Sequence, residues 1–158
     1  MNIGIDMMGG DFAPLEAVKG VQLYLSGHNI PAKLTLIGNK EQLEKLVTEH
    51  KTPLENITIV HAEQVIGMHE HPTKALKEKQ QSSIAIGFQL LASGKMDAFI
   101  SAGNTGAMLV GALFSIKALE GVIRPTISSI IPKSEGGTGL LLDVGLNADC
   151  KPEQLNQF

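Results

Sequence analysis

Apolar positions along this chain switch between the alternation of strands and the three-and-four spacing of helices. Asn2 to Asp6 alternates and ends on a carboxylate. The loop Met7-Met8-Gly9-Gly10-Asp11 follows, and Pro14 can open a helix whose Val18, Val21 and Leu25 share one face. Lys33 to Gly38 predicts a second strand, and Asn39 with Gln42 marks the cap of a helix lined by Leu43, Leu46 and Val47. Ile57 to Val60 predicts a third. Ser82-Ser83 caps a helix with Ile84, Phe88 and Leu91 inward and Gly94 at its close. Ala98 to Ile100 then predicts a buried strand, Ser101 to Thr105 a polar turn, and an apolar helix begins near Thr105. Further on, Ile127 to Ile131 predicts a strand stopped by Pro132, and Gly136-Gly137-Thr138-Gly139 turns the chain. Leu140 to Asp143 predicts a strand apolar enough for the centre of a sheet, and Pro152 starts a helix. This alternation predicts a single α/β domain over 1–158 with a mostly parallel sheet flanked by helices. A sheet of this kind does not stop one turn into a helix, so the pattern reads as the front half of a longer chain.

Composition narrows the partners. The chain has 158 residues, 43% of them hydrophobic, enough for a real core. Net charge is −3 and Arg124 is the single arginine among 13 cationic residues, which argues against a nucleic-acid surface. The lone Cys150 excludes an internal disulfide and fits a reducing compartment. The opening Met1 to Asp6 goes straight into a strand pattern, without a basic leader, and no apolar run approaches a membrane span.

The most informative stretch is Ser101-Ala102-Gly103-Asn104-Thr105-Gly106. A strand that breaks at glycine and re-enters as a helix leaves the first backbone N–H groups without partners inside that helix, where the dipole favours an anion. Asn104 and Thr105 add donors; Gly103 and Gly106 permit close approach. The reading is a phosphate-sized site, and the alternative is an ordinary turn with an Asn cap. Asp6 and Asp143 end strands where open α/β sheets place ligands; the alternative for Asp6 and Asp11 is the capping of local turns. Lys74 and Lys77 share a helical face, either solvated or reaching over the anion site. His69-Glu70-His71 lacks a third ligand at helical spacing, so no metal is expected. There is no Walker-type phosphate loop, no three-glycine dinucleotide fingerprint and no nucleophile elbow.

Three segments carry a resemblance: Ile5 to Pro14, Ile100 to Ala107, and Leu142-Asp143-Val144-Gly145-Leu146-Asn147-Ala148-Asp149-Cys150-Lys151-Pro152. Together they resemble the motifs of the bacterial phosphate acyltransferase family, in order and over essentially the whole chain. The resemblance implies transfer of a fatty acyl group from acyl carrier protein to inorganic phosphate, giving acyl phosphate for phospholipid synthesis. It also implies a three-layer α/β/α fold akin to phosphotransacetylases and the isopropylmalate dehydrogenase group, and a cytoplasmic homodimer associated peripherally with the membrane through the missing half. No cofactor is implied. Two departures stand out. His71-Pro72 with Lys74 and Lys77 replaces the family's Asp-Pro with arginines, keeping charge but losing the bidentate fork. Gly145-Leu146-Asn147-Ala148-Asp149 replaces Gly-Ala-Asn-Val-Asp.

On this resemblance Ser101, Gly103, Asn104, Thr105 and Gly106 are expected to hold phosphate, with Lys74 and Lys77 neutralising it. Asn147 or the Gly9-Gly10 backbone is expected to donate to the thioester carbonyl, and Asp6 and Asp143 to orient those donors. The lysines at 74 to 79 have a second candidate role, docking an acidic carrier protein. Two rival readings are a phosphate- or nucleotide-binding module without catalysis, and a half-sheet that pairs with another copy through an uncovered edge.

Overall fold

The computed structural model describes residues 1–27, 32–122, 125–147 and 149–156. Arg124 and Ala148, both singled out above, lie outside the described residues. The chain forms two compact units, Met1–Ser115 and Ile116–Phe158.

The first unit is α/β. Strands β1 (Asn2–Asp6), β2 (Lys33–Gly38), β3 (Ile57–His61) and β4 (Ala98–Ile100) make a parallel sheet in the order β3-β2-β1-β4. Helices α1 (Leu15–Gly27) and α2 (Lys40–Glu49) lie between the first three strands in sequence. After β3 come α3 (Pro72–Glu78) and α4 (Ser83–Ala92), and after β4 comes α5 (Thr105–Ser115). The strand periodicity sorts the two faces. Leu34 and Leu36 of β2 join Val18, Val21, Leu25, Leu43 and Val47 in the core beneath α1 and α2. Their neighbour Ile37 points the other way, to Met96 and the α4 side. The result is the three-layer α/β/α arrangement.

Local signals behave as the sequence predicts. The Asn39 side chain accepts from the Gln42 N–H at the start of α2, and Ser82 does the same for Ala85 at the start of α4. Gly94, at φ +70°, ends α4: its N–H donates to Leu91 and that of Lys95 to Leu90. This paired closure requires a left-handed residue. On the α4 side of the sheet, Phe88 and Phe99 meet edge to face, with centroids 5.3 Å apart at 78°. Among the described residues no helix is long and apolar enough to cross a membrane.

The second unit corrects one expectation. Leu140 to Asp143 does not enter the centre of the parallel sheet. β6 (Thr138–Leu142) pairs antiparallel with β5 (Ser128–Pro132) as a two-stranded ribbon, with Ile131 opposite Gly139 and Ser129 opposite Leu141. Gly136 and Gly137, at φ +85° and +83°, close the tight reversal between them. A reversal this short can join only antiparallel neighbours, since parallel ones need a crossover. Leu140 is 72% exposed and Ile130 67%. A short helix, α6 (Pro152–Leu155), follows.

Leu36 is fully buried, so Leu36→Ala is expected to destabilise the first unit by about 2–5 kcal/mol. The exposed Leu140→Ala is expected to shift stability by less than about 0.5 kcal/mol. Urea unfolding of both variants checks the contrast.

Candidate active site

The chain builds β1, β2 and β3 outward in one direction and then returns to place β4 on the other side of β1. The loops leaving β1 and β4 therefore part at a switch point, the place where open α/β sheets leave a crevice for ligands. The register sets Ile5 beside Ile100, so Asp6 and Ser101 emerge side by side.

These two loops are tied together. Ser101 Oγ donates to Asp6 Oδ2 at 2.7 Å and accepts from the Gly103 N–H at 2.9 Å. The other oxygen, Asp6 Oδ1, accepts from the Met8 N–H at 3.0 Å. Asp6 is thus buried with both oxygens engaged, which makes it a bracket between the loops. Gly9 completes the join. A Cβ there would lie 2.6 Å from the Gly103 nitrogen and 2.8 Å from its Cα, a backbone clash that no rotamer relieves. Gly10 beside it sits at φ +103°.

Asn104 is placed at the site but is heavily committed. Its Oδ1 accepts from the Ala107 N–H at 2.9 Å, capping α5. Its amide nitrogen donates to the carbonyls of Gly67, Met68 and Glu70 at 3.0, 3.3 and 3.1 Å. The residue is 4% exposed. With both amide protons engaged it ties the 67–70 turn to the head of α5. The Met108 N–H is taken by the Asn104 carbonyl, so the N–H groups of Thr105 and Gly106 come ahead of those the cap accounts for. Thr105 is exposed, while Pro72 packs onto Gly106, where a Cβ would meet the proline ring at 2.4 Å.

The lysines divide. Lys74 is 73% exposed and only 4.0 Å from Glu78. Lys77 lines a groove between α3, α4 and α5. Lys79 has a structural partner that sequence reasoning missed: its Nζ donates to the Val65 carbonyl and to Glu70 Oε1. The same Glu70 oxygen accepts from the Gly67 N–H at 2.7 Å. Glu70 therefore clamps the turn that Asn104 holds from the other side. The His69-Glu70-His71 run reads only as a metal cue lacking a third ligand; Gly67-x-x-Glu70 followed by Lys79 was the usable signal. The Lys79 hydrogen bond, then that from Gly67, hold the Glu70 carboxyl below its usual range against a smaller desolvation effect.

The second unit contains its own cluster. Asp143, at φ +60°, accepts at Oδ1 from Thr126 Oγ1 (3.2 Å), the Asn147 N–H (3.1 Å) and Asn147 Nδ2 (2.9 Å). Cys150 Sγ lies 3.8 Å from its Oδ2. Desolvation raises the Asp143 pKa, but the hydrogen bonds from Asn147, then Thr126 and Cys150, outweigh it and hold the carboxyl below its usual range. Asp143 thereby fixes the Asn147 amide and uses one of its two protons.

The family model for fatty acid synthesis proteins matches residues 1–158. The chain belongs to that family. A phosphate acyltransferase from Thermoanaerobacterium thermosaccharolyticum is 46% identical over 158 residues, covering 100% of this chain and 45% of that protein. Proteins of the same name from Dictyoglomus turgidum and Geobacter sulfurreducens are 44% and 42% identical, again over 100% of this chain and 46% and 45% of their own lengths. The chain spans about half the length of the curated relatives it matches.

Removing the Asn104 amide leaves a helix cap and several carbonyls unmet. Asn104→Ala is expected to cost about 2–4 kcal/mol, the sum of a cap and buried unsatisfied acceptors. Amide exchange at Gly67 and Glu70 is expected to quicken. Unchanged exchange there would show that Asn104 does not hold the turn. Glu70 gives a pH test. Its pKa is lower folded than unfolded, so its contribution is complete above the unfolded value and disappears as pH falls through the folded one. Acid titration of stability is therefore expected to flatten in Glu70→Gln over that low-pH window, as thermal melts across the range will read.

Proposed function

We propose that this chain supplies the phosphate-binding and thioester-positioning part of an acyltransferase that moves a fatty acyl group from acyl carrier protein to inorganic phosphate. The observation that carries this reading is that relatives named phosphate acyltransferase align over the full chain, while the loops bearing two of the resembling motifs meet at the sheet's switch point.

In the proposed reaction a phosphate oxygen attacks the thioester carbonyl carbon. A C–O bond forms, the C–S bond breaks, and the carrier's thiolate leaves with the electron pair and takes a proton from water. Phosphate is largely dianionic near neutral pH and the thiolate leaves readily, so positioning and oxyanion stabilisation are the main demands. Thr105, through its hydroxyl and N–H, is the proposed phosphate contact, with the Gly103–Gly106 backbone around it and Lys74 supplying charge. The Gly9–Gly10 backbone, packed against the 102–103 turn, is the donor assigned to a developing oxyanion. Ser101, Asp6, Gly9, Gly10 and Asn104 position the loops, and Asp143 positions Asn147 within the second unit. The acyl phosphate product is an amphiphile, which supports a cytoplasmic enzyme acting against the membrane surface. A homodimer belongs to the same reading.

Phosphate-dependent release of carrier thiol from long-chain acyl carrier protein tests this. Thr105→Val is expected to raise the KM for phosphate about tenfold or more, a loss of about 1.4 kcal/mol, without lowering the melting midpoint. Phosphate binding without thiol release by this chain would leave it a binding part that needs the rest of its relatives' length for transfer, and an unchanged phosphate KM in Thr105→Val would overturn the acceptor site.

A further inference from the structure

A groove of about 400 Å³ runs between α3, α4 and α5 of the first unit, away from the bracket that joins the β1 and β4 loops. Its walls are Leu76 of α3, Phe88 of α4, and Val110, Gly111 and Phe114 of α5. Gly111 is what closes its floor: a Cβ there would lie 2.3 Å from the Phe88 ring, so α4 and α5 pack at contact. The Phe88 ring is held in turn by its edge-to-face partner Phe99, which gives the groove a fixed wall.

The groove is connected to the proposed site by the way its helices begin. Pro72 and Gly106 pack on each other, so α3 and α5 start together beside the 101–106 turn. Thr73, Leu76 and Lys77 then recur on one face of α3, and Val110 and Phe114 follow Gly106 at helical spacing on α5. From Gly106 to Phe114 is eight residues, about 12 Å at 1.5 Å per residue. Polar Thr73 and Lys77 belong to the same wall as Leu76, and the far wall ends on Phe114, which is 74% exposed. An aromatic ring left in water at the end of an apolar trough is unfavourable unless something apolar lies along it.

We propose that this groove holds the acyl chain of the thioester substrate, with the carbonyl end toward the 101–106 turn and the methyl end toward Phe114. The inference rests on the acyltransferase reading, since the acyl chain is the one linear apolar part of the substrates that reading requires. The volume lies within the about 300–1,000 Å³ that small-molecule sites occupy, and the lining is mostly apolar as such sites are. Lys77 flanks the groove, where its charge suits an anionic carboxylate or phosphate group better than an alkyl tail.

Direct binding of free fatty acids below their micellar concentration tests the proposal without requiring turnover. Palmitate is expected to bind with one site per chain. Phe114→Asp, at an exposed position that folding tolerates, is expected to weaken palmitate about tenfold while octanoate changes less than about threefold, because the shorter chain stops before Phe114. Val110→Trp, filling the middle of the groove, is expected to abolish both. Equal palmitate affinity in wild type and both variants, or no palmitate binding to wild type, overturns the proposal. Loss of self-association in Phe114→Asp with palmitate affinity unchanged overturns it too, and assigns the groove to a second copy. Titration with inorganic phosphate separates the two readings. Palmitate binding with the expected variant pattern but no phosphate binding keeps the groove and defeats the acceptor assignment. Phosphate binding without palmitate does the reverse.

Discussion

The hydrogen bond from Ser101 to Asp6 is the constraint on which the first unit's functional end depends. It joins residues 95 apart in sequence at the point where the sheet's winding reverses. An open switch point ordinarily leaves two loops free to diverge. Here one carboxylate takes a hydroxyl from one side and a backbone N–H from the other, and the hydroxyl passes the constraint on to Gly103. Burial makes the arrangement all-or-none, because an unmet carboxylate in that position is costly. Gly9 then sets the spacing, since the two backbones touch where a side chain would have kept them apart.

A second knot sits on top of the first. Asn104 faces two ways, capping α5 with its oxygen and gathering three carbonyls of the 67–70 turn with its nitrogen. Glu70 and Lys79 close the same turn from the outer side. The order of these ties explains why Pro72 arrives on Gly106 and why α3 starts beside α5. The head of α5 is therefore framed by chain from three separated parts of the sequence: the loop after β1, the turn before α3, and its own strand.

The elements whose period is long and whose ends are marked were legible in the sequence. Val18, Val21 and Leu25 gave α1, Asn39 gave the cap of α2, Ser82 and Gly94 bounded α4, and the break at Gly103 placed the start of α5. The strand Leu140 to Leu142 was seen, but its setting was not. Three leucines in a row are equally consistent with a buried parallel strand and with a ribbon, and only the pairing partner distinguishes them. The capping role of Asn104 was visible as the alternative reading of a turn. The convergence of carbonyls from residues 67, 68 and 70 on its amide was not, because it depends on tertiary placement. Glu70 was hidden by its histidine neighbours, because the run was weighed only as a metal cue and set aside for want of a third ligand, and its role as a loop clamp depends on tertiary placement. The Asp143–Asn147 pair was named from the motif, and its basis, a left-handed Asp143 with three donors on one oxygen, is a property of the fold.

The β5–β6 ribbon also bears on how the protein behaves as a material. Ile130, Ile131 and the three consecutive leucines of β6 are all substantially open, and among the described residues each strand pairs only with the other. Such a ribbon offers an unpaired backbone edge on each side and greasy surface above and below, the combination that recruits further strands from neighbouring molecules. Adding charge to the open leucines of this ribbon is the direct way to discourage such pairing.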